Sequence, residues 1–197
     1  MLATAAAEPD RLVIGVDANA AAMIEAARRA AARPNRGGLP NALFVVAAVE
    51  ALPAELGGVA DLVTAHFPWG SLLRGLLAAD RAMMAGVTRL MRPGAVLSLV
   101  VSAVARDGGV GVEPICDDTL HRVADAYRNH GLTVIEARKA TAEDVTATHS
   151  TWAKRLGAGV RRQAWLLRAT THAHHVPMSL RRRLDLPSRW KVNGAHA

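Results

Sequence analysis

Leu12-Val13-Ile14-Gly15-Val16-Asp17 is a short apolar, partly β-branched run that ends on an acid. Ala20 to Ala32 behind it is rich in strong helix formers, with Arg28, Arg29 and Arg33 on its C-terminal side. The pair reads as a buried strand feeding a helix. Pro34 stops that helix, and Arg36-Gly37-Gly38-Leu39-Pro40-Asn41 is a loop before a second strand, Ala42 to Ala47. Beyond the turn residues Leu52-Pro53 and Gly57-Gly58, a third strand over Asp61 to Ala65 runs into Phe67-Pro68-Trp69-Gly70. Helices follow over Ser71 to Leu77 and Asp80 to Met91, the latter closed by Arg92-Pro93-Gly94. A strand over Ala95 to Val104, a loop from Gly108 to Pro114 and a helix over Asp118 to Asn129, with Asp118 as N-cap, come next. The last strands are Leu132 to Ala137 and Gln163 to Thr170, separated by one helix from Ala142 to about Trp152. Apolar strands alternating with helices predict an α/β fold, a mostly parallel sheet with helices on both faces. Ligands of such sheets bind at the carboxyl ends of the strands. Asp17, Glu50 and the loop Phe67 to Gly70 all fall just past strand ends.

With 197 residues and 51% apolar composition, the chain is long enough for one such domain, residues 1–171, followed by a basic tail, residues 172–197. The net charge of +7 is unevenly spread: residues 150–197 hold ten Lys/Arg and one acid, Asp185. That asymmetry points to a polyanionic partner, nucleic acid before acidic membrane, with a solvated tail as the plain alternative. A single cysteine, Cys116, excludes an internal disulfide framework and fits a reducing compartment. The first ten residues lack the basic start of a secretory signal, and the apolar run Ala95 to Ala105 is shorter than the roughly 20 residues needed to span a bilayer. The expectation is a soluble, cytoplasmic protein with no membrane partner.

An acid at the end of an early strand suits the two hydroxyls of a ribose, which makes Asp17 a cofactor candidate; N-capping of the following helix is its structural alternative. Glu50 is placed to flank an adenine edge or to be an ordinary surface carboxylate. In Phe67-Pro68-Trp69-Gly70, proline stiffens the turn and glycine permits close approach. Trp69 there is either a base-stacking plane or a core anchor. A second indole, Trp152 in Ser150-Thr151-Trp152-Ala153-Lys154-Arg155, precedes a basic cluster, and two such planes with adjacent cations make a sandwich for an extruded base. His172, His174 and His175 have no carboxylate or cysteine at ligand spacing, so no metal site is expected.

The strings Val16-Asp17-Ala18-Asn19, Arg36 to Asn41, Phe67-Pro68-Trp69-Gly70-Ser71-Leu72-Leu73-Arg74-Gly75 and Ser150-Thr151-Trp152 resemble the kanamycin–apramycin resistance methyltransferases. Those enzymes have a class I, Rossmann-like S-adenosylmethionine (SAM) fold and methylate N1 of adenine 1408 in 16S rRNA of the small (30S) ribosomal subunit. The resemblance covers roughly Arg11 to Thr170. It implies that Asp17 binds the SAM ribose and that Val49 and Glu50 border its adenine. Phe67, Pro68 and Ser71 would line the cofactor pocket, with Ser150 and Thr151 closing it. Trp69 and Trp152 would be the catalytic pair, clamping the flipped adenine. Arg28, Arg29, Arg33, Arg36, Lys154, Arg155, Arg161 and Arg162 would contact rRNA phosphates. Adenine N1 has an in-plane lone pair and no proton, so its attack on a sulfonium methyl needs no general base; clamping and alignment suffice. The protein would act as a monomer.

The chain also departs from that pattern. A glycine-rich loop normally precedes the acid-bearing strand by about 20 residues. Met1 to Asp10 contains no glycine. The first strand, its loop and most of the first helix are therefore expected to be missing, which would leave two unpaired edges in the middle of the sheet. A start lying upstream and a decayed homologue both explain this; the intact downstream motifs favour the first. His66, before Phe67, stands where the family tends to be apolar. Two other functions remain compatible with the residues: a non-catalytic rRNA-binding homologue using the basic face, and a SAM methyltransferase acting on a small molecule.

Overall fold

A computed structural model describes residues 1–103, 112–158 and 162–171, and of Trp152, Arg155 and Leu156 the backbone alone. Among the described residues there are six strands: β1 (Val13–Asp17), β2 (Ala42–Val46), β3 (Ala60–His66), β4 (Met91–Val101), β5 (Leu132–Lys139) and β6 (Trp165–Thr171). The helices are α1 (Leu2–Ala7), α2 (Ala20–Ala30), α3 (Gly70–Leu77), α4 (Arg81–Leu90), α5 (Asp117–Arg128), α6 (Ala142–Ala147) and α7 (Thr151–Leu156). Single 3-10 turns lie at Pro34–Arg36, Val49–Ala51 and Ala54–Leu56.

The strands form two sheets, a parallel pair β1-β2 and a four-stranded sheet in the order β3-β4-β6-β5. The break falls between β1 and β3, where the sequence predicts two unpaired edges. In the larger sheet β6 runs against both its neighbours, so the sheet is mixed, with β3, β4 and β5 sharing one direction. Alternation along β4 and β6 separates two cores. Leu97, Leu99, Trp165 and Leu167 pack with Leu73, Leu76, Met84 and Tyr127 of α3, α4 and α5, while Val100 and Leu166 face the other way, toward Ala153 of α7. Helices thus cover both faces, as predicted. The Tyr127 hydroxyl, buried in the first core, donates to the Leu76 carbonyl at 3.0 Å, so the polar end of a large core residue is satisfied.

Helix α1 is not legible in the first ten residues, whose alanines carry no amphipathic period. It is tied down by Asn41, whose Nδ2 lies 2.9 Å from the Ala5 carbonyl and 3.0 Å from those of Glu8 and Arg11. Three other expectations need correction. Arg92-Pro93-Gly94 does not close α4 but lies inside β4, because a register shift against β3 between Ala60 and Leu62 accommodates the extra residues, with Gly94 at φ 79°. The N-cap of α5 is Cys116, not Asp118, through a reciprocal box with Thr119. The single helix expected from Ala142 to about Trp152 is two helices, broken at His149, whose φ is 50°.

The first of those two helices is anchored by a charge network. Asp144 forms a capping box with Thr141, and its carboxylate accepts from Arg138 Nη1 at 2.6 Å and Nη2 at 3.2 Å. Arg138, with help from Thr141 and against burial, holds the Asp144 carboxyl well below the usual carboxylate range. A depressed carboxyl contributes stability that is complete above its unfolded value of about 3.9 and is lost as pH falls through the folded value. Urea midpoints should therefore fall as pH drops from about 5 to about 2. Asp144→Asn should flatten part of that slope; identical slopes in the two proteins would refute the assignment.

Candidate cofactor and base-binding site

Asp17, the last residue of β1, is exposed, and its Oδ1 accepts the Asn19 backbone N–H at 2.8 Å. The N-cap of α2 is Asn19, whose Oδ1 accepts from Ala21 N at 3.0 Å. The capping alternative for Asp17 is thereby corrected, and its carboxylate stands past the strand end. Val49 and Glu50 form the 3-10 turn beyond β2, with Glu50 exposed and Val49 half-buried against α4. At that contact α4 carries Gly86, where a Cβ would collide with the Val49 carbonyl. Sequence reading missed Gly86; its one signal is a glycine in the middle of a helical pattern.

Beyond β3 the chain turns sharply. Phe67 takes φ 51°, an uncommon conformation for a non-glycine residue, and its N–H donates to the Val100 carbonyl at 2.7 Å. Phe67 and Pro68 are buried, whereas Trp69 is 42% exposed. The core-anchor alternative therefore belongs to Phe67, and Trp69, the N-cap residue of α3, is exposed. Ser71, in the first turn of α3, is exposed.

Across from this loop, Ser150 caps α7 by accepting the Ala153 N–H at 3.2 Å, and Thr151 is exposed in the first turn, followed by Trp152. The helix break at His149 matters here, because it places Ser150, Thr151 and Trp152 at a helix start. Ala153 and Phe67 share one buried cluster with Val100, Ala158, Ala164 and Leu166. The two tryptophan-bearing segments thus each contribute a residue to the same small core.

The basic residues divide. Arg28, Arg29, Arg33 and Arg36 are all exposed on the end of α2 and the turn behind it, Arg28 paired with Glu25 at 3.2 Å. Lys154 is exposed on α7, which also carries Arg155; Arg161 and the tail lie outside the described residues. Arg162 is a correction. It is 5% exposed, with Nε donating to Ser102 Oγ at 2.8 Å and Nη2 to the Ser102 carbonyl at 3.2 Å, so reaching a phosphate would require giving up those bonds. Nothing in its sequence neighbourhood separates it from Arg161. Among the described residues no group of three or more His, Cys, Asp or Glu is arranged to hold a metal ion, and no helix is long and apolar enough to cross a membrane.

An exposed carboxylate at the end of β1 and an acidic turn past β2 are groups that can accept hydrogen bonds from a nucleoside, and an exposed indole follows β3. The family model for 16S rRNA (adenine(1408)-N(1))-methyltransferases matches residues 1–171. The chain belongs to this family. The enzyme of that name from Streptoalloteichus tenebrarius is 35% identical over 153 residues, covering 75% of this chain and 70% of that protein. The Escherichia coli counterpart is 29% identical over 160 residues, covering 76% and 71%. Among solved structures, a tryptophan-to-alanine mutant of the Catenulisporales acidiphilia enzyme with cosubstrate SAM has a TM-score of 0.79 at 32% identity, covering 89% of this chain and 82% of that one. KamB, a 16S rRNA methyltransferase, has a TM-score of 0.74 at 32% identity, with 87% and 81% covered. The fold is accordingly that of the SAM-dependent methyltransferases.

Proposed function

We propose that the chain transfers a methyl group from SAM to N1 of adenine 1408 in the 16S rRNA of 30S subunits, as a cytoplasmic monomer. The observation that carries this is that Phe67, beside Trp69, and Ala153, beside Trp152, belong to one buried cluster, in a chain whose family match spans both. SAM, when bound, supplies an electrophilic sulfonium methyl. Asp17 accepts hydrogen bonds from the ribose hydroxyls, and Val49 and Glu50 flank the adenine of the cofactor. Phe67, Pro68 and Ser71 form one wall, with Ser150 and Thr151 the opposite rim. Trp69 and Trp152 hold the extruded target adenine so that its N1 lone pair faces the methyl, and their π faces favour the positive charge that develops on the ring. Arg28, Arg29, Arg33 and Arg36, with Lys154 and Arg155, bind phosphates and fix orientation.

The test is incubation of the full chain with SAM and isolated 30S subunits, read by reverse transcription. A stop at adenine 1408 is expected, and its absence overturns the proposal. Asp17→Ala should weaken SAM binding roughly 10- to 100-fold by calorimetry, the loss of a hydrogen bond to a charged group. Unchanged affinity would remove Asp17 from the site.

A further inference from the structure

We propose that Arg138 is a positioning residue for methyl transfer: bonded to Glu136 of the sheet and to Asp144 of α6, it sets where α6 delivers Ser150, Thr151 and Trp152 at the start of α7. The consequence for catalysis rests on the function proposed above; the placement of α7 does not.

Neither propensity nor packing can hold α6. It has six residues, where an isolated helix in water is marginal below about 12 to 15, and none of them is buried. Val145 is only partly buried against the second core. Where the helix meets the sheet there is a cavity of about 90 Å3, lined by Ser98, Val100 and Arg168 of the sheet and by Asp144, Ala147 and Thr148. What fixes the helix is a chain of charges of alternating sign, Arg168, Glu136, Arg138 and Asp144. Glu136 of β5 accepts from its register partner on β6, Arg168 Nη1, at 2.5 Å, and from Arg138 Nε at 2.8 Å. The remaining two nitrogens of Arg138 meet the two oxygens of Asp144, and Nη1 also reaches the Lys139 carbonyl at 3.0 Å. A planar guanidinium suits this double grip, one edge on the sheet and the other on the helix. The Asp144, Arg168 and Glu136 side chains are 15%, 19% and 29% exposed, so solvent and salt screen the chain less than they would a surface pair.

From α6 the constraint passes to α7 through hydrogen bonds. Thr148, the C-cap of α6, is buried, and its hydroxyl donates to the Val145 carbonyl at 2.7 Å and accepts the Ser150 N–H at 3.2 Å. Ser150 in turn caps α7 by accepting the Ala153 N–H. His149 between them holds φ 50°, a conformation that persists in a non-glycine residue only where its neighbours over-determine it. A helix α6 free to move on the sheet would take that turn, and the start of α7, with it.

Hydrogen exchange by mass spectrometry on the full chain reads the placement directly. Arg138→Gln should speed exchange of the amides from Thr148 to Ala153 about 10-fold, the scale of a lost charge-assisted hydrogen bond, while α5 keeps its protection. Asp144→Asn keeps an oxygen for Thr141 but loses the charge; it should do the same, and the double variant should add less than about 2-fold to either. Unchanged exchange in Arg138→Gln, an equal rise in α5, or a double variant in which the two effects multiply overturns the proposal. Methylation of 30S subunits reads the catalytic consequence. Arg138→Gln should lower kcat about 5- to 10-fold with KM for SAM little changed, and should add less than about 2-fold once Trp152 is alanine, because the loss passes through that segment. A raised KM with kcat intact, or effects that multiply with Trp152→Ala, would overturn the positioning role. Faster exchange in Arg138→Gln with no methylation by the unmutated chain would leave the placement of α7 standing and sink the methyltransferase function.

Discussion

Trp69→Ala is expected to cut kcat/KM for 30S methylation roughly 10- to 100-fold while barely changing the melting temperature, and Trp152→Ala to match it in activity. Stacking of a base on an aromatic ring contributes about 1–3 kcal/mol, which converts to a factor of that size for each plane lost. The stability half of the expectation comes from exposure: Trp69 keeps 42% of its surface in solvent, and the anchor of its loop is Phe67 at 5%. Trp69→Phe retains a π face and should recover most of the activity. Salt-sensitive subunit binding should survive both alanine variants, because the arginines of α2 and its following turn contact phosphates independently of base flipping. A Trp69→Ala protein that is fully active, or one that no longer folds, contradicts the role of Trp69 as an exposed stacking plane.

Gly86→Ala should destabilise the protein by about 2–3 kcal/mol, opposite in sign to the usual gain of about 1 kcal/mol for alanine over glycine inside a helix. The added Cβ would meet the Val49 carbonyl carbon at 2.8 Å and its Cγ1 at 3.1 Å, and a backbone cannot swing aside as a side chain can. Either α4 shifts or the Val49–Ala51 turn does, and the latter carries Glu50. Thermal denaturation should show the loss, and SAM affinity should fall with it. Gly75→Ala in α3 is the control: its Cβ would meet the Met83 side chain at 3.0–3.3 Å, with no backbone atom among its three nearest neighbours, and should cost less than Gly86→Ala. Stabilisation by Gly86→Ala would show that the α4–turn contact is not rigid.

Much of this protein is readable locally. Apolar runs of four to seven residues between Gly, Pro and charged segments mark β1, β2 and β3, and their order already places Asp17, Glu50 and Trp69 at strand ends. The break between α6 and α7 was not readable, because Thr148-His149-Ser150 contains neither glycine nor proline; a buried Thr148 and the turn at His149 impose it. Arg92-Pro93-Gly94 reads as a helix stop because Pro93 and Gly94 both break helices, yet the same three residues fit a bulged strand start once β3 is alongside.

By itself the sequence determined the alternation of strands and helices, the family strings and the surplus of basic charge toward the C-terminus, since each depends on residues near one another along the chain. Only the tertiary structure decided that Phe67 and not Trp69 is the anchor, that Arg162 turns inward to Ser102 while Arg28 to Arg36 stay on the surface, and that Gly86 must remain without a side chain. Those outcomes depend on what a distant segment places against each residue, and no local pattern encodes the volume or the hydrogen-bond partners waiting there.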